Sequence, residues 1–262
     1  MTAGQAVALY GERNPFDGAA ALRHSNYSAY LNGSLVRLLD WREPLAQARL
    51  ADRAFRGFVR SSGFSCVAAK AAIASNGYRF GYYRGFGTGG AGEGLARDLA
   101  AFVAERDSMS ARYATFVAVF DATIGGGEAW FEAALWRELQ ALADIGAPHY
   151  RWDSAVSSDP ASPRFAFSFA QRAFFVVGMH PASARISRRF FLPALAFNSH
   201  RQFAQARSDG QFERIANLVR KREMALQGSL NPELSAFGAR SEARQYSGRT
   251  TESDWRCPFH GA

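Results

Sequence analysis

The residues best able to do chemistry are concentrated between Phe174 and His200. An apolar run there leads into the tetrapeptide Gly178-Met179-His180-Pro181, and three basic residues follow it: Arg185, Arg188 and Arg189. Because proline suits the first turn of a helix, we expect His180 at a strand-to-helix junction, with the arginines one turn beyond it. An imidazole ligand and paired guanidinium groups are what a heme iron and its two propionates require. The alternative is that His180 is a hydrogen-bonded core or capping residue.

Other candidate metal ligands lie outside the tetrapeptide. His200 ends the tripeptide Asn198-Ser199-His200, and with His180 it would supply two ligands to a non-heme metal. The chain has no HExxH motif and no HxD or HxE pair, so a zinc or facial-triad iron site is not supported. Cys257 precedes Pro258 and offers a thiolate as an alternative ligand to heme iron. Cys66 is expected to be a small buried hydrophobic residue.

A glycine-rich segment, Gly85-Phe86-Gly87-Thr88-Gly89-Gly90, matches the GxGxxG pattern of dinucleotide-binding folds. In such a fold the loop amides bind pyrophosphate, and Asp121 at the end of the next strand would bind a ribose hydroxyl. However, Glu93 would repel a pyrophosphate, and Asp121 lies further downstream than is usual. A flexible connection is therefore favoured, and a dinucleotide-dependent oxidoreductase stays an alternative.

Apolar periodicity predicts the elements that position these residues. Residues 31–39 carry leucines at helical spacing, and an amphipathic run follows over 45–59, so the first sixty residues are predicted to be helical. Further helices are expected over 65–75, 95–106, 128–144 and 203–224. Strands are expected over 78–83, 115–120, 165–169, 173–177 and 195–197, with a hairpin joining the third and fourth.

The order of these elements predicts the fold class. The helices bracket the strands and do not alternate with them regularly, which favours a single α+β domain over a doubly wound fold. We expect a mainly antiparallel sheet packed against several helices. Residues 1–60 are predicted to form a helical segment packed on a core that spans residues 61–262.

Composition limits the class of protein. The chain has 262 residues, of which 48% are hydrophobic, enough to bury a full core. Its net charge of +8 comes almost wholly from arginine, but the arginines are scattered, so we expect no nucleic-acid partner. Two cysteines without a CxxC motif, together with no signal peptide or membrane-length apolar run, predict a cytoplasmic protein that does not span a membrane. The lack of a GxSxG motif argues against a serine hydrolase.

Several blocks of sequence resemble the YqcI/YcgG family. They follow one another over roughly residues 55–260: Phe64-Ser65-Cys66-Val67, Phe131-Glu132-Ala133-Ala134-Leu135-Trp136, Gly178-Met179-His180-Pro181, Phe197-Asn198-Ser199-His200, Ala243-Arg244-Gln245-Tyr246-Ser247-Gly248-Arg249 and Trp255-Arg256-Cys257-Pro258-Phe259. The characterised branch that they resemble contains heme-dependent N-hydroxylases of natural-product biosynthesis. These enzymes use dioxygen and two electrons to hydroxylate a guanidine nitrogen of arginine or an arginine-derived amino acid.

The resemblance implies a set of site residues. It makes His180 the iron ligand of a heme b cofactor, places Arg185, Arg188 and Arg189 near the propionates, and leaves Cys257 as the competing ligand. Because no flavin or iron–sulfur motif is present, a separate redox partner is expected to supply the electrons. A heme-binding or sensor protein without turnover is the alternative function.

A guanidinium substrate calls for a carboxylate. The acids in otherwise apolar surroundings are Asp121, Glu128 and Glu132. Glu128 is more simply explained as an acid at the start of a helix, so Asp121 and Glu132 are the expected catalytic-site acids. Asp121 is the first choice because it ends the apolar run 116–120, where a carboxylate can face a pocket while its backbone stays in the sheet.

Overall fold

The computed structural model describes residues 14–89 and 91–261. Its strands are β1 (Ser28–Leu31), β2 (Ser34–Arg37), β3 (Tyr78–Arg84), β4 (Thr115–Asp121), β5 (Phe167–Phe169), β6 (Arg172–Met179) and β7 (Ala194–Ser199). Its α-helices are α1 (Ala19–His24), α2 (Ala46–Arg60), α3 (Val67–Ala74), α4 (Gly92–Glu105), α5 (Gly127–Gly146), α6 (His200–Ser208), α7 (Phe212–Gln227) and α8 (Ala243–Tyr246). Short 3₁₀ helices span Arg106–Ser108 and Ile186–Arg188.

All seven strands of the described residues join one sheet in the order β2-β1-β3-β4-β7-β6-β5. The pair β3–β4 is parallel, and α4 lies in the crossover that parallel neighbours require. The other neighbouring pairs are antiparallel. The predicted α+β domain with a mainly antiparallel sheet is therefore confirmed.

The sheet is buried on both faces by helices. Along β4 the side chains alternate: Phe116 and Phe120 belong to the core cluster beneath α4 and α5, whereas Val117 belongs to the cluster beneath α2 and α3. Six successive residues of β4 are buried, which explains its unbroken apolar sequence. The stripe predicted for α5 lies in the first cluster, with no exposed side-chain surface: Phe131, Leu135, Leu139 and Leu142.

The helical prediction for residues 31–39 is wrong. This stretch belongs to an antiparallel hairpin in which Leu31 pairs with Ser34. The two residues between them, Asn32 and Gly33, have φ angles of +49° and +87°, as a tight hairpin turn requires. The first sixty residues therefore contribute two strands to the sheet, and the helical segment among them is reduced mainly to α2.

Two further element predictions need correction. The helix expected over 203–224 is two helices, α6 and α7, because Gly210 adopts a left-handed φ of +66° between them. The α-helix expected to begin at Pro181 does not form: the His180 N–H donates to the carbonyl of Arg188 at 3.0 Å, and the Ser183 N–H donates to the carbonyl of His180 at 3.2 Å. The chain thus folds back on His180 in a closed loop. The predicted β5–β6 hairpin is confirmed.

Candidate functional site

His180 is the most completely buried titratable residue of the predicted heme segment. It comes directly after β6, and its side chain has no exposed surface. Its ring stacks on Phe131 of α5, with the ring centres 4.1 Å apart and the planes inclined by 22°. Within residues 14–89 and 91–261, neither Nδ1 nor Nε2 of His180 has a hydrogen-bond partner. The predicted ligand is therefore a buried imidazole with both nitrogens free, not a hydrogen-bonded core histidine.

The surroundings of His180 favour its neutral form. Burial, and secondarily the positive charge of Arg188, lower the pKa of His180 to about 4. At neutral pH the imidazole is uncharged, and this is the form that ligates metals.

Gly178 explains why α5 approaches β6 so closely at this point. A Cβ atom there would lie 2.6 Å from Cε1 of Phe131 and 2.8 Å from the backbone oxygen of Tyr246. The missing side chain lets Phe131 from one side and the C-terminal segment from the other close over the end of the strand. We call residues 246–259 the tail segment.

The three arginines predicted near the propionates mostly bind protein groups. Arg185 donates to Glu223 at 2.8 Å and to the carbonyl of Ser229 at 2.7 Å. Arg188 donates to the carbonyl of Tyr246 at 2.9 Å, and burial lowers its pKa to about 10. Arg189 is exposed and donates to the carbonyl of Ser183 at 2.9 Å. Arg185 and Arg188 therefore hold the loop and the tail segment, and of the three only Arg189 is exposed.

The three candidate acids have different environments. Asp121 is exposed at the end of β4, so the buried position expected for it is wrong. Glu128 accepts a hydrogen bond from the N–H of Ala184 at 2.9 Å and so ties α5 to the loop that follows His180. Glu132 is 7% exposed and lies one residue after Phe131, on the part of α5 that faces the tail segment.

Glu132 is bound by four donors from the tail segment. Its Oε1 accepts from the hydroxyl of Ser247 at 3.0 Å. Its Oε2 accepts from Nε and Nη2 of Arg249 at 3.0 and 2.7 Å, and from the indole N–H of Trp255 at 3.3 Å. Arg249 also pairs with the exposed Glu252 at 2.7 Å. A guanidinium group thus lies on a buried carboxylate beside the residue that stacks on His180.

The other candidate ligands are less suited to a metal. Cys257 packs against the core cluster beneath α4 and α5. Burial raises the pKa of its thiol to about 12, so the thiol is protonated at neutral pH. Burial likewise raises the pKa of the Cys66 thiol. His200 lies at the opposite end of the antiparallel β6–β7 pair from His180, because Phe174 pairs with Ser199 and Met179 with Ala194. Its Nε2 lies 3.0 Å from a carboxylate oxygen of Glu242. Among the residues described, no group of three or more His, Cys, Asp or Glu side chains is arranged to hold a metal ion.

The glycine loop is held against α5. The N–H of Gly87, one of the amides expected to bind pyrophosphate, donates to Glu138 at 2.8 Å. Gly87 has φ +65°, and a Cβ atom there would lie 2.7 Å from the carbonyl oxygen of Ala134. Burial raises the pKa of Glu138 to about 7. The carboxyl group of Glu138 thus accepts the hydrogen bond of the Gly87 N–H, which a phosphate would need.

Comparison with known proteins adds a family. The model of the YqcI/YcgG family matches residues 55–260, which include His180, Glu132 and the tail segment. The chain belongs to this family. Neither the curated proteins nor the solved structures contain a match to it. Within the described part of the chain, no helix has the length and apolar character needed to cross a membrane.

Sequence reasoning missed the partners of Glu132. Ser247, Arg249 and Trp255 lie in blocks that resemble the YqcI/YcgG family, but they carried no predicted role. A buried carboxylate requires a cationic or hydrogen-bonding partner. The position of Glu132 next to Phe131, on the apolar side of a predicted helix, was therefore the available signal that such a partner exists. The partner itself lies 117 residues away in the chain, at a distance that no local pattern reports.

Proposed function

We propose that this member of the YqcI/YcgG family is a heme-dependent monooxygenase that hydroxylates a guanidine nitrogen of arginine or an arginine-derived amino acid. The observation that carries the proposal is the imidazole of His180, which is fully buried and has no partner for either nitrogen among the described residues. A buried polar group without a partner is costly, and binding to iron would give one nitrogen a partner. When bound, the heme would supply the iron that binds and activates dioxygen.

The chain's residues suit different parts of this task. His180 would ligate the heme iron, and Phe131 restricts the orientation of its ring. Arg189 is the arginine best placed to pair with a propionate, because it is exposed. Arg185 and Arg188 are positioning residues, since their contacts with Glu223 and Tyr246 hold the loop that carries His180.

Glu132 is the proposed binding partner of the substrate guanidinium. A buried carboxylate that already binds the guanidinium group of Arg249 has the chemistry required. Arg249 keeps a second carboxylate, Glu252, when a substrate takes its place on Glu132. Asp121, the first choice from the sequence, is exposed. Water screens its charge, so it would discriminate less than a buried carboxylate between charged and uncharged ligands. A separate redox partner is the proposed source of electrons.

Replacement of His180 tests the heme assignment. The purified protein is reconstituted with hemin, and its Soret band is compared with those of His180→Ala and His200→Ala. We expect His180→Ala to lose most of the bound heme while its circular dichroism stays unchanged, and His200→Ala to keep it. A full Soret band in folded His180→Ala would overturn imidazole ligation by this residue. In that case the spectra of the reduced carbon monoxide complexes of the wild type and of Cys257→Ser are compared. A difference between them shows that the Cys257 thiolate is the ligand.

Titration with charged and uncharged ligands tests the guanidine assignment. Arginine, citrulline and an uncharged amine are added to the heme-loaded protein, to Glu132→Gln and to Asp121→Asn. We expect arginine to perturb the heme spectrum of the wild type and of Asp121→Asn, and its effect to weaken at least about tenfold in Glu132→Gln, since a charge-assisted hydrogen bond is lost. Equal responses to charged and uncharged ligands would overturn the guanidine substrate.

Turnover separates an enzyme from a heme carrier or sensor. The heme-loaded chain is supplied with a reductase, dioxygen and arginine, and the product is identified by mass. Incorporation of one oxygen atom supports the monooxygenase. Heme binding and a spectral response to arginine without a hydroxylated product would instead support the binding protein.

A further inference from the structure

A groove of about 360 Å³ lies between the outer face of α2 and the β1–β2 hairpin. We call it the arginine groove, because four of the residues that line it are Arg49, Arg53, Arg56 and Arg60. Their spacings of four, three and four residues place them on one face of α2 in a row about 16 Å long. Tyr30 and Leu35 of the hairpin form the opposite wall. No step of the proposed hydroxylation uses this groove.

Much of the positive charge in the arginine groove is uncompensated. Arg53 and Arg60 are exposed, and neither makes an ion pair with any described residue. Arg56 lies over the ring of Tyr30, with its guanidinium carbon 3.1 Å from the ring centre. The acid that lines the groove is Asp52, which is buried and accepts a hydrogen bond from the hydroxyl of Tyr78. Among the described residues, Arg49 pairs with the exposed Glu43 and Arg56 interacts electrostatically with Asp52, so Arg53 and Arg60 carry the uncompensated charge.

Gly57 leaves the backbone of α2 uncovered on the side of the groove. It lies inside the helix, between Arg53 and Arg60 on the same face, and it lines the groove. Glycine is among the poorest helix formers, so it weakens α2 at this point. No described residue requires it, because a Cβ atom at this position would meet none of their atoms within 4 Å. A glycine here leaves the backbone open to a ligand held by the flanking arginines.

We infer that the arginine groove binds a small molecule that carries two or more phosphate groups. Guanidinium forks match phosphate oxygens, and successive arginines along the row are separated by about 4.5 and 6 Å along the helix axis. A ligand with adjacent phosphates spans that spacing, whereas a single carboxylate reaches one arginine. The concave shape suits a small molecule better than a flat macromolecular surface. Most of the groove precedes residue 55, where the family match begins, so the inference does not rest on the proposed function.

Calorimetric titration of the full chain with pyrophosphate and with ADP, in low salt, tests the inference. The variant Arg53→Gln/Arg60→Gln removes two groove charges without breaking an ion pair. Its matched control, Arg214→Gln/Arg220→Gln, removes two exposed arginines of α7 that likewise form no ion pair among the described residues. We expect Kd to rise at least about tenfold in the groove variant, because charge-assisted contacts with phosphate are lost, and to change less than about twofold in the control.

Gly57→Ala provides a second test that does not alter charge. Alanine improves the helix and has space in the free chain, so the melting temperature should stay the same or rise. Kd for pyrophosphate should nevertheless rise about tenfold, because the new methyl group occupies the approach to the backbone. Unchanged binding in either groove variant, or no binding by the wild type, overturns the inference. Citrate that binds as tightly as pyrophosphate overturns the phosphate assignment, and a single-stranded oligonucleotide that binds more tightly overturns the small-molecule assignment.

Discussion

Glu132→Gln tests whether the buried carboxylate anchors the tail segment to α5. Glutamine keeps the size of the side chain and one carbonyl oxygen, which can still accept from Arg249. Its amide group replaces the other oxygen, and the hydroxyl of Ser247 can turn to accept from that group. The substitution therefore removes mainly the charge from a side chain that is 7% exposed.

The magnitude follows from the two bonds that Arg249 makes to Oε2, at 3.0 and 2.7 Å. Hydrogen bonds to charged groups contribute about 1.5–3 kcal/mol to stability, against about 0.5–1.5 kcal/mol for neutral ones. Because the guanidinium donor stays charged, each of the two bonds loses at most this difference, about 1–1.5 kcal/mol. We expect Glu132→Gln to lower the free energy of unfolding by up to about 2–3 kcal/mol.

Urea unfolding followed by circular dichroism measures this change. The matched control is Glu252→Gln, which removes an exposed carboxylate from the same guanidinium group and should cost much less. Arg249→Gln should be less harmful in the Glu132→Gln background than in the wild type, because the pair acts as a unit. If Glu132→Gln loses no more stability than Glu252→Gln, or if the Glu132 and Arg249 substitutions add independently, the anchoring argument is refuted.

Two further predictions concern the packing around α5. Gly178→Ala should lower the free energy of unfolding by about 1–3 kcal/mol, because its methyl group would lie 2.6 Å from Phe131, whereas Gly57→Ala, measured in the same urea assay, should not. Burial raises the pKa of Glu138 to about 7, so the native state keeps a proton that the unfolded chain releases near the ordinary pKa of 4.5. Stability should therefore fall as pH rises from about 4.5 to 7, and Glu138→Gln should show less of this fall between pH 5 and 8. Equal pH dependence of the urea midpoints in the two proteins would contradict the Glu138 argument.

Most helices and strands could be predicted from local patterns of apolar residues. The stripe of α5 and the apolar run of β4 each bury a defined face, so periodicity alone places them. The β1–β2 hairpin was mispredicted because its leucines match a helical spacing by coincidence. The dipeptide Asn32-Gly33 is a strong hairpin signal, and it outweighs that spacing in the folded chain.

The candidate site was predictable in part. His180 follows a strand, as its sequence indicates, and Glu132 lies on a predicted helix. Whether an acid at the end of a strand is buried depends on which other elements cover that end, and the local sequence does not report this. Asp121 at the end of β4 is exposed. Arg188 donates to the backbone carbonyl of Tyr246. Every residue has such a carbonyl, so the sequence could not show that Arg188 already has this partner.

The long separation between Glu132 and its donors affects how the chain is made. Arg249 follows Glu132 by 117 residues. A ribosome that adds about 5–20 residues per second needs roughly 6 to 23 s to synthesise that stretch. During this time the carboxylate on the nascent chain lacks all of its native donors, Ser247, Arg249 and Trp255, which opposes burial of the first half of α5. We therefore expect the imidazole of His180 to close off from solvent only after Arg249 and Trp255 have left the ribosome.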